Sequence, residues 1–393
     1  MININWLQLL EDRTRVAVGA GWLLVMVAAV FAYWPGLSGP WLFDDYDSLA
    51  SLGDLGGVRN WETFKAFVLG GPAGPTGRPL ALVTFLVDGQ NWPADAWPFK
   101  RTNLVIHILN GVLLGVLVSQ LLSALQFERQ KIRDIALITA ACWMLHPYLV
   151  STTLYIVQRM AQLSTTFVFA GLVAYMHGRI QVKASPKKAY LIMSFSLTGF
   201  TLLAMMAKEN GILLPMLALV MEMTVLTTAA VPRLNRIWSF AFTTLPSIVI
   251  LAYLAGRVFD DNFFEIVPPR DFSTFERLLT QSRVLVDYLQ NWFIPKLYTT
   301  GVFQDHFTKS TGLLSPITTL AGTIMHVALI SLAFIVRRRW SLLSLGILFF
   351  YVGHLLESTV VNLELYFEHR NYLPAALLYL PFIVYLRKKL DTK

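Results

Sequence analysis

Long apolar blocks alternate with short polar ones along this chain, and the length of the blocks decides its class. An α-helix rises about 1.5 Å per residue and a bilayer's hydrocarbon core is about 30 Å thick, so one crossing needs roughly 20 mostly apolar residues. Blocks approaching that length lie near 14–34, 103–124, 134–150, 160–178, 189–207, 211–229, 237–255, 316–336, 341–357 and 372–387. They predict an all-α polytopic membrane protein with about ten transmembrane helices. The stretch 280–296, QSRVLVDYLQNWFIPKL, is apolar but interrupted by Arg283, Asp287 and Pro295, which predicts an interfacial or re-entrant helix instead of a span. Two connecting loops are long, 35–102 and 256–315. The first is rich in Gly, Pro and Trp, yet Trp61, Phe64, Phe67 and Val68 keep amphipathic spacing, so short interfacial helices lying on the membrane are expected. No internal repeat or low-complexity tract divides residues 1–393, and one transmembrane domain is expected.

Composition agrees with the pattern. Hydrophobic residues make up 55% and charged residues 14%, where a soluble domain carries about 25% charged residues. A formal charge of +8 raises the question of nucleic acid, but the bases form no single patch and no stripe interleaved with aromatics. They sit in clusters between apolar blocks: Arg13 and Arg15, Arg129 to Arg133, Arg179 to Lys188, Arg233 and Arg236, Arg337 to Arg339, and Arg387 to Lys389. With ten crossings every cluster falls on the side of the termini, which the positive-inside rule makes cytoplasmic. Loops 35–102 and 256–315 are then extracytoplasmic. Val16 to Tyr33 imitates a signal peptide, but it is longer than an h-region and lacks a small-x-small cleavage site, so it reads as a first span. Cys142, the single cysteine, lies in an apolar run, excludes an internal disulfide and reads as a packing residue.

The candidate chemistry lies on the extracytoplasmic side. Asp44, Asp45 and Asp47 follow the first span, and three carboxylates in four residues bind a cation, pair with bases or share a proton. A carboxylate at the membrane surface suits a general base that deprotonates a hydroxyl, although a solvated acidic turn has the same composition. The same side holds Arg78, Lys100, Arg101, Asn103, His107, Asn110, His146, Gln158, Arg159, Lys208, Glu209, Asn210, Arg270, Arg277 and Arg283. Its last turn carries His354, Glu357, Glu368, His369 and Arg370. Charges near apolar runs cost a few kcal/mol unless they pair or face water. Each has a plain structural explanation: Lys208 and Glu209 as a local ion pair, His107 as a satisfied core histidine, Arg370 as an anchor of the last helix. Taken together, carboxylates facing Arg and Lys resemble a base beside a phosphate cradle. No Walker-type or G-x-G-x-x-G loop accompanies them. A donor already activated and carried by a lipid fits that absence, since nucleotide sugars are generally lacking outside the cytoplasmic membrane.

The ordered set FDDYDSL, GRPLALVTFLVD, NLVIHILN, LHPYLVSTTLYIVQRM, AKENGILLP, HLLEST and FEHRNYLP resembles C-type (GT-C) integral membrane glycosyltransferases. The similar branch contains transmembrane O-mannosyltransferases with tetratricopeptide repeats and bacterial pilin glycosyltransferases. The similarity spans nearly the whole chain. It implies a GT-C-like fold and inverting transfer from a polyprenyl-phosphate sugar to a hydroxyl, most simply a Ser/Thr of a surface or pilus protein. By it, one of Asp44 and Asp45 is the base. Asp45 is slightly favoured, as the one free to face the cavity while a basic partner holds Asp44. Arg78, His107, Lys208 and Arg370, with Arg159 and Arg270, are the expected donor phosphate or sugar contacts. Asp47, Glu209, Glu357, His369 and Gln158 are the expected acceptor or supporting residues. The expected location is a bacterial inner membrane, with the active site facing the periplasm or exterior.

The chain ends at Lys393 just after the last apolar block, so no soluble repeat array is expected and acceptor recognition falls to the two long loops or to another protein. No cofactor is required by the motifs. Clustered carboxylates suit Mg²⁺ or Mn²⁺, but no ligand set is readable and the metal stays open. Rival readings are a ligase or polymerase of lipid-linked glycans and a transporter or flippase of lipid-linked substrate. A transporter usually carries charged or broken-helix positions near mid-bilayer, where only Glu222 has a claim to depth. A monomer is the default.

Overall fold

The computed structural model describes residues 6–72, 74–266, 268–296 and 307–390, leaving aside the side chains of 6–15. Parts of the loop 256–315 (267 and 297–306), and the side chains of Arg13 and Arg15, therefore lie outside the described residues. The described chain is all-helical, its β-type pairings being two isolated bridges. In order, the principal helices are α1 (Trp6–Tyr33), α2 (Asp44–Leu49), α3 (Trp61–Leu69), α4 (Pro79–Phe85), α5 (Ala96–Ala124), α6 (Arg129–Met144), α7 (Arg159–Gln181), α8 (Pro186–Ala207), α9 (Leu214–Met223), α10 (Leu245–Gly256), α11 (Thr274–Phe293), α12 (Thr318–Val336), α13 (Ser341–Gly353) and α14 (Leu380–Leu390).

Seven segments among the described residues are long and apolar enough to cross a membrane: Val16–Ser38, Ala96–Ala124, Ile156–Gln181, Pro186–Ala207, Glu209–Thr228, Arg236–Phe259 and Thr318–Val336. An eighth is obtained if Arg129–Met144 and Pro147–Leu154, bent by 55°, are taken as one broken span. This chain is a polytopic membrane protein. Two of the ten expected blocks give helices shorter than a span. Block 341–357 gives only the 13-residue α13, about 20 Å long and short of a bilayer core. Block 372–387 begins with a 3-10 turn at Pro374–Leu377 and then gives the 11-residue α14. Proline removes a backbone donor and clashes with the preceding turn, which explains the breaks at Pro147 and Pro374. Residues 280–293 belong to α11, which starts at a capping box in which Ser273 accepts from Glu276 N. Its mixed polar and apolar face keeps it out of the set of spans.

The spans divide by what they touch. Only 11% of α1's apolar window is buried, and 17% of α12's, while Ile156–Gln181 is 78% buried and Glu209–Thr228 67%. Apolar side chains facing lipid carry no hydrophobic penalty, so the outer helices present Leu, Val and Ile outward and the inner ones pack against each other. At the middle, Tyr372 ties the final segment to α5 and α6. Its hydroxyl lies 2.8 Å from His107 Nδ1 and accepts from Asn110 Nδ2 at 3.2 Å, while its carbonyl accepts from Trp143 Nε1 at 3.1 Å. His107 Nε2 lies 2.9 Å from the Met144 carbonyl, which uses both ring nitrogens.

The first long loop folds into short helices whose apolar residues, among them Leu49, Phe67, Leu82 and Phe85, pack on Phe99, Ile156 and Met160. A second buried fastening holds it down. Arg159 is fully buried with its guanidinium 2.6 Å from Asp88. It donates to Asn103 Oδ1 at 2.7 Å, the Thr84 carbonyl at 2.9 Å and the Phe99 carbonyl at 2.8 Å. Removing one member of a buried pair strands the other charge. Arg159→Ala is expected to cost about 3–5 kcal/mol, read as a lower melting temperature in detergent, and Arg159→Ala with Asp88→Ala should recover part of the loss.

Candidate functional site

The site is assembled from loop turns at helix ends. Lys208 stands between α8 and the 3-10 turn Glu209–Leu213. Chain approach there is tight: a Cβ on Gly211 would lie 2.4 Å from the Ala204 carbonyl carbon, so glycine lets the turn close. Lys208 Nζ lies 2.6 Å from Glu357 Oε1, and both side chains are 8% exposed. Arg78, in the left-handed conformation at φ 51° before Pro79, reaches Glu209 Oε2 with Nη2 at 2.9 Å and Nε at 3.1 Å. Thr76 donates to Glu209 Oε1 at 3.0 Å. Arg370 donates from Nη1 to the Glu364 carbonyl at 2.7 Å and lies 5.2 Å from the Phe367 ring. Lys208, Asn210, Glu357, His369 and Arg370 line one cavity of about 20 Å³ together with Ser164, Thr165 and Tyr372.

The charges in this cluster act on one another. Burial pushes the Lys208 ammonium below its ordinary value, and Glu357 beside it opposes the shift. Burial, with the Lys208 charge added, holds the His369 imidazole well below its usual range, in the neutral form at physiological pH. Arg277 shapes the wall of the site without entering the cavity. It is fully buried, and its guanidinium donates at 2.5 Å to each of the Glu357, Thr359 and Leu363 carbonyls, so that the chain from 357 to 364 winds round a fixed cation.

The acidic turn is anchored to the stretch Tyr155–Met160, which also contacts Arg78. Asp45 is fully buried. Its Oδ2 accepts from Leu42 N at 2.9 Å and its Oδ1 from Val157 N at 2.7 Å. Asp44 and Asp47 are exposed, as residues three apart on a helix share a face. The backbone N–H of Asp44 donates to the Tyr155 hydroxyl at 3.0 Å. One stretch of chain joins the two halves: Val157 receives Asp45, and the Met160 sulfur lies 3.3 Å from Arg78 Nη1. Three residues of 3-10 and α-helix separate these anchors by about 5 Å.

Several expected roles are corrected by these placements. Asp45, the slightly favoured base, does not face a cavity: it is fully buried and turns inward to accept from two backbone donors, while Asp44 is exposed. Arg159 has no donor directed at the cavity, its three nitrogens being occupied by Asp88, Asn103 and two carbonyls. His107 is a satisfied core histidine on Tyr372 and Met144. Arg270 sits further out, paired with exposed Glu364 at 3.1 Å. Gln158, next in the chain to the Asp45 anchor at Val157, is buried. Glu209 pairs with Arg78 instead of its neighbour Lys208. The structure brings together Arg78, Lys208, Glu209, Glu357, His369 and Arg370.

Sequence reasoning gave neither Asp88, which ends the motif GRPLALVTFLVD, nor Arg277 a specific role. It also passed over the chain from Tyr148 Oη to Tyr366 Oη at 2.5 Å and on to Asp287 Oδ2 at 2.6 Å. Among the described residues, no three His, Cys, Asp or Glu side chains converge as metal ligands. No protein-family model, curated protein or solved structure matches the chain.

Burial raises the Asp45 carboxyl to about 6, against the pull of the Leu42 and Val157 N–H groups and Lys100. The folded chain then holds this proton more tightly than the unfolded chain, so stability is greatest below about pH 4 for this group and is lost as pH rises through about 6. Thermal unfolding between pH 4 and 8 should show that decline. Asp45→Asn should flatten it and lower stability throughout, because an amide nitrogen now faces a backbone donor.

Proposed function

We propose that this chain is an inverting glycosyltransferase of GT-C type, which moves a sugar from a polyprenyl-phosphate donor to a hydroxyl on an extracytoplasmic acceptor. What supports it is the meeting of Arg78, Lys208 and Arg370, from three separate turns, together with an exposed carboxylate at Asp44 on a turn anchored to the same Tyr155–Met160 stretch that contacts Arg78. A phosphate leaving group needs cations placed before the reaction, and an acceptor hydroxyl needs a base open to solvent. The resemblance of the ordered motifs to that family points the same way.

In this reading Asp44 accepts the proton of the acceptor hydroxyl as its oxygen attacks the anomeric carbon from the face opposite the phosphate. The bond from that carbon to the phosphate oxygen breaks, and its electron pair leaves on the lipid phosphate. Lys208 and Arg370 neutralise the departing charge, with Arg78 beside them and Glu209 and Glu357 holding the cations in position. Asp47, on the same exposed face as Asp44, orients the acceptor or a divalent cation. Asp45 fixes the turn. Site residues beside apolar spans, and basic clusters between other spans, support an extracytoplasmic site in a bacterial inner membrane with both termini cytoplasmic. The acceptor is a Ser/Thr of a surface or pilus protein.

Purified protein incubated with labelled polyprenyl-phosphate sugar and candidate acceptors tests the reading. Asp44→Asn should lower turnover by roughly 10²–10⁴-fold with an unchanged melting temperature, whereas Asp45→Asn should lower the melting temperature. Normal product from Asp44→Asn removes the base assignment. A lengthened glycan instead of a glycosylated protein would identify a glycan ligase or polymerase, and movement of the lipid with no covalent product a transporter.

A further inference from the structure

The opposite end of the bundle holds a second charged cavity, of about 590 Å³, lined by Arg179, Glu222, Thr227, Arg233, Arg236 and Phe240 among others. Glu222 lies in the same span as Glu209, roughly 20 Å further along it. The candidate site described above does not use any of these residues.

Arg179 is 2% exposed. Its Nε donates to Glu222 Oε1 at 2.6 Å and its Nη2 to Oε2 at 3.3 Å, while the Tyr175 hydroxyl donates to Oε1 at 2.8 Å. Glu222 is thus neutralised. Nη1 of Arg179 is buried and has no acceptor among the described residues, and a buried charged donor in that condition calls for an oxygen. Arg233 and Arg236 on the cavity wall are exposed. Glu222 is the one acid among the lining residues described, so the wall carries a positive excess.

The rest of the wall says what surrounds the charge. Residues Phe240–Thr244 form a π-helical turn, and Ser239, Phe240 and Thr244 line the cavity where the helix widens. Ile237 and Phe240 are exposed on the membrane-crossing segment Arg236–Phe259. Arginines beside outward-facing apolar side chains recognise a phosphate that carries a hydrocarbon chain.

We infer that this cavity binds the phosphate-ester headgroup of an anionic membrane lipid, held by Arg179 Nη1, Arg233 and Arg236, with the lipid chains along Ile237 and Phe240. The inference does not depend on the transferase reading.

The test is native mass spectrometry of the full chain released from nanodiscs of equal phosphatidylglycerol and phosphatidylcholine. The protein should retain phosphatidylglycerol preferentially. Arg233→Gln with Arg236→Gln should lower that retention by roughly tenfold, and these exposed side chains leave the fold intact. Arg179→Lys, which keeps a cation for Glu222 and lacks Nη1, should also lower it. Arg338→Gln with Arg339→Gln, which removes the same charge from another loop, should not. Equal retention by wild type and R233Q/R236Q overturns the site, as does an equal loss in R338Q/R339Q. Thermal unfolding in neutral detergent separates the sources: stabilisation by inorganic phosphate as large as that by phosphatidylglycerol would overturn the lipid assignment.

Discussion

The ion pair between Lys208 and Glu357 is the contact on which the rest of the candidate site depends. Both groups are almost entirely removed from water, where an unpaired charge is costly and the attraction between two is strong. The pair therefore fixes the turn after α8 against the turn after α13, although 148 residues separate them in the chain. Other constraints follow from it. The chain beyond Glu357 must stay near a cation-rich centre, and it does so by aiming carbonyls at Arg277 and Arg370. Carbonyls that would otherwise need a helix are satisfied by two guanidinium groups, which is how an irregular loop survives among buried helices.

A rigid link then relates the cationic centre to the acidic turn. Residues Tyr155 to Met160 carry the Asp44 anchor at one end and the Arg78 contact at the other. Arg159, inside that stretch, is locked by Asp88 and three further acceptors. Placing Asp44 at a stable distance from Arg78 therefore requires no contact between them. This explains why residues with no access to the cavity matter to it: Arg159 and Asp45 set positions that Asp44 and Arg78 occupy.

The spans and the grouping of charge were legible because apolar length and charged block-ends are local properties. Lys208 and Arg370 border apolar runs, and a charge there has few places to go except toward other charges. Orientation was not legible. Asp44 and Asp45 are adjacent and chemically identical, and what separates them is a tertiary donor, Val157 N, far away in sequence. Pairing failed for the same reason. Glu209 stands next to Lys208, yet it takes Arg78, while Lys208 takes Glu357. Arg159 looked like a ligand contact because its type suits phosphate, and its partner Asp88 lies in a loop whose docking no periodicity reports.

The long helix α7 shows how one residue type serves opposite purposes in one membrane protein. Arg159 and Arg179 lie at its two ends, about 30 Å apart, which is the thickness of a hydrocarbon core. Neither can be unpaired at that depth, and each has a carboxylate: Asp88 for the first and Glu222 for the second. The difference lies in what remains after pairing. Every guanidinium nitrogen of Arg159 has an acceptor within the protein, so it closes a joint between loop and bundle. Arg179 keeps one nitrogen without an acceptor at the wall of a cavity with two more arginines. A fully satisfied buried arginine is a fastener, since any new ligand would have to displace a bond already made. A buried arginine with a donor to spare gains a bond when an anion arrives, and that asymmetry separates a structural end of the helix from a receptive one.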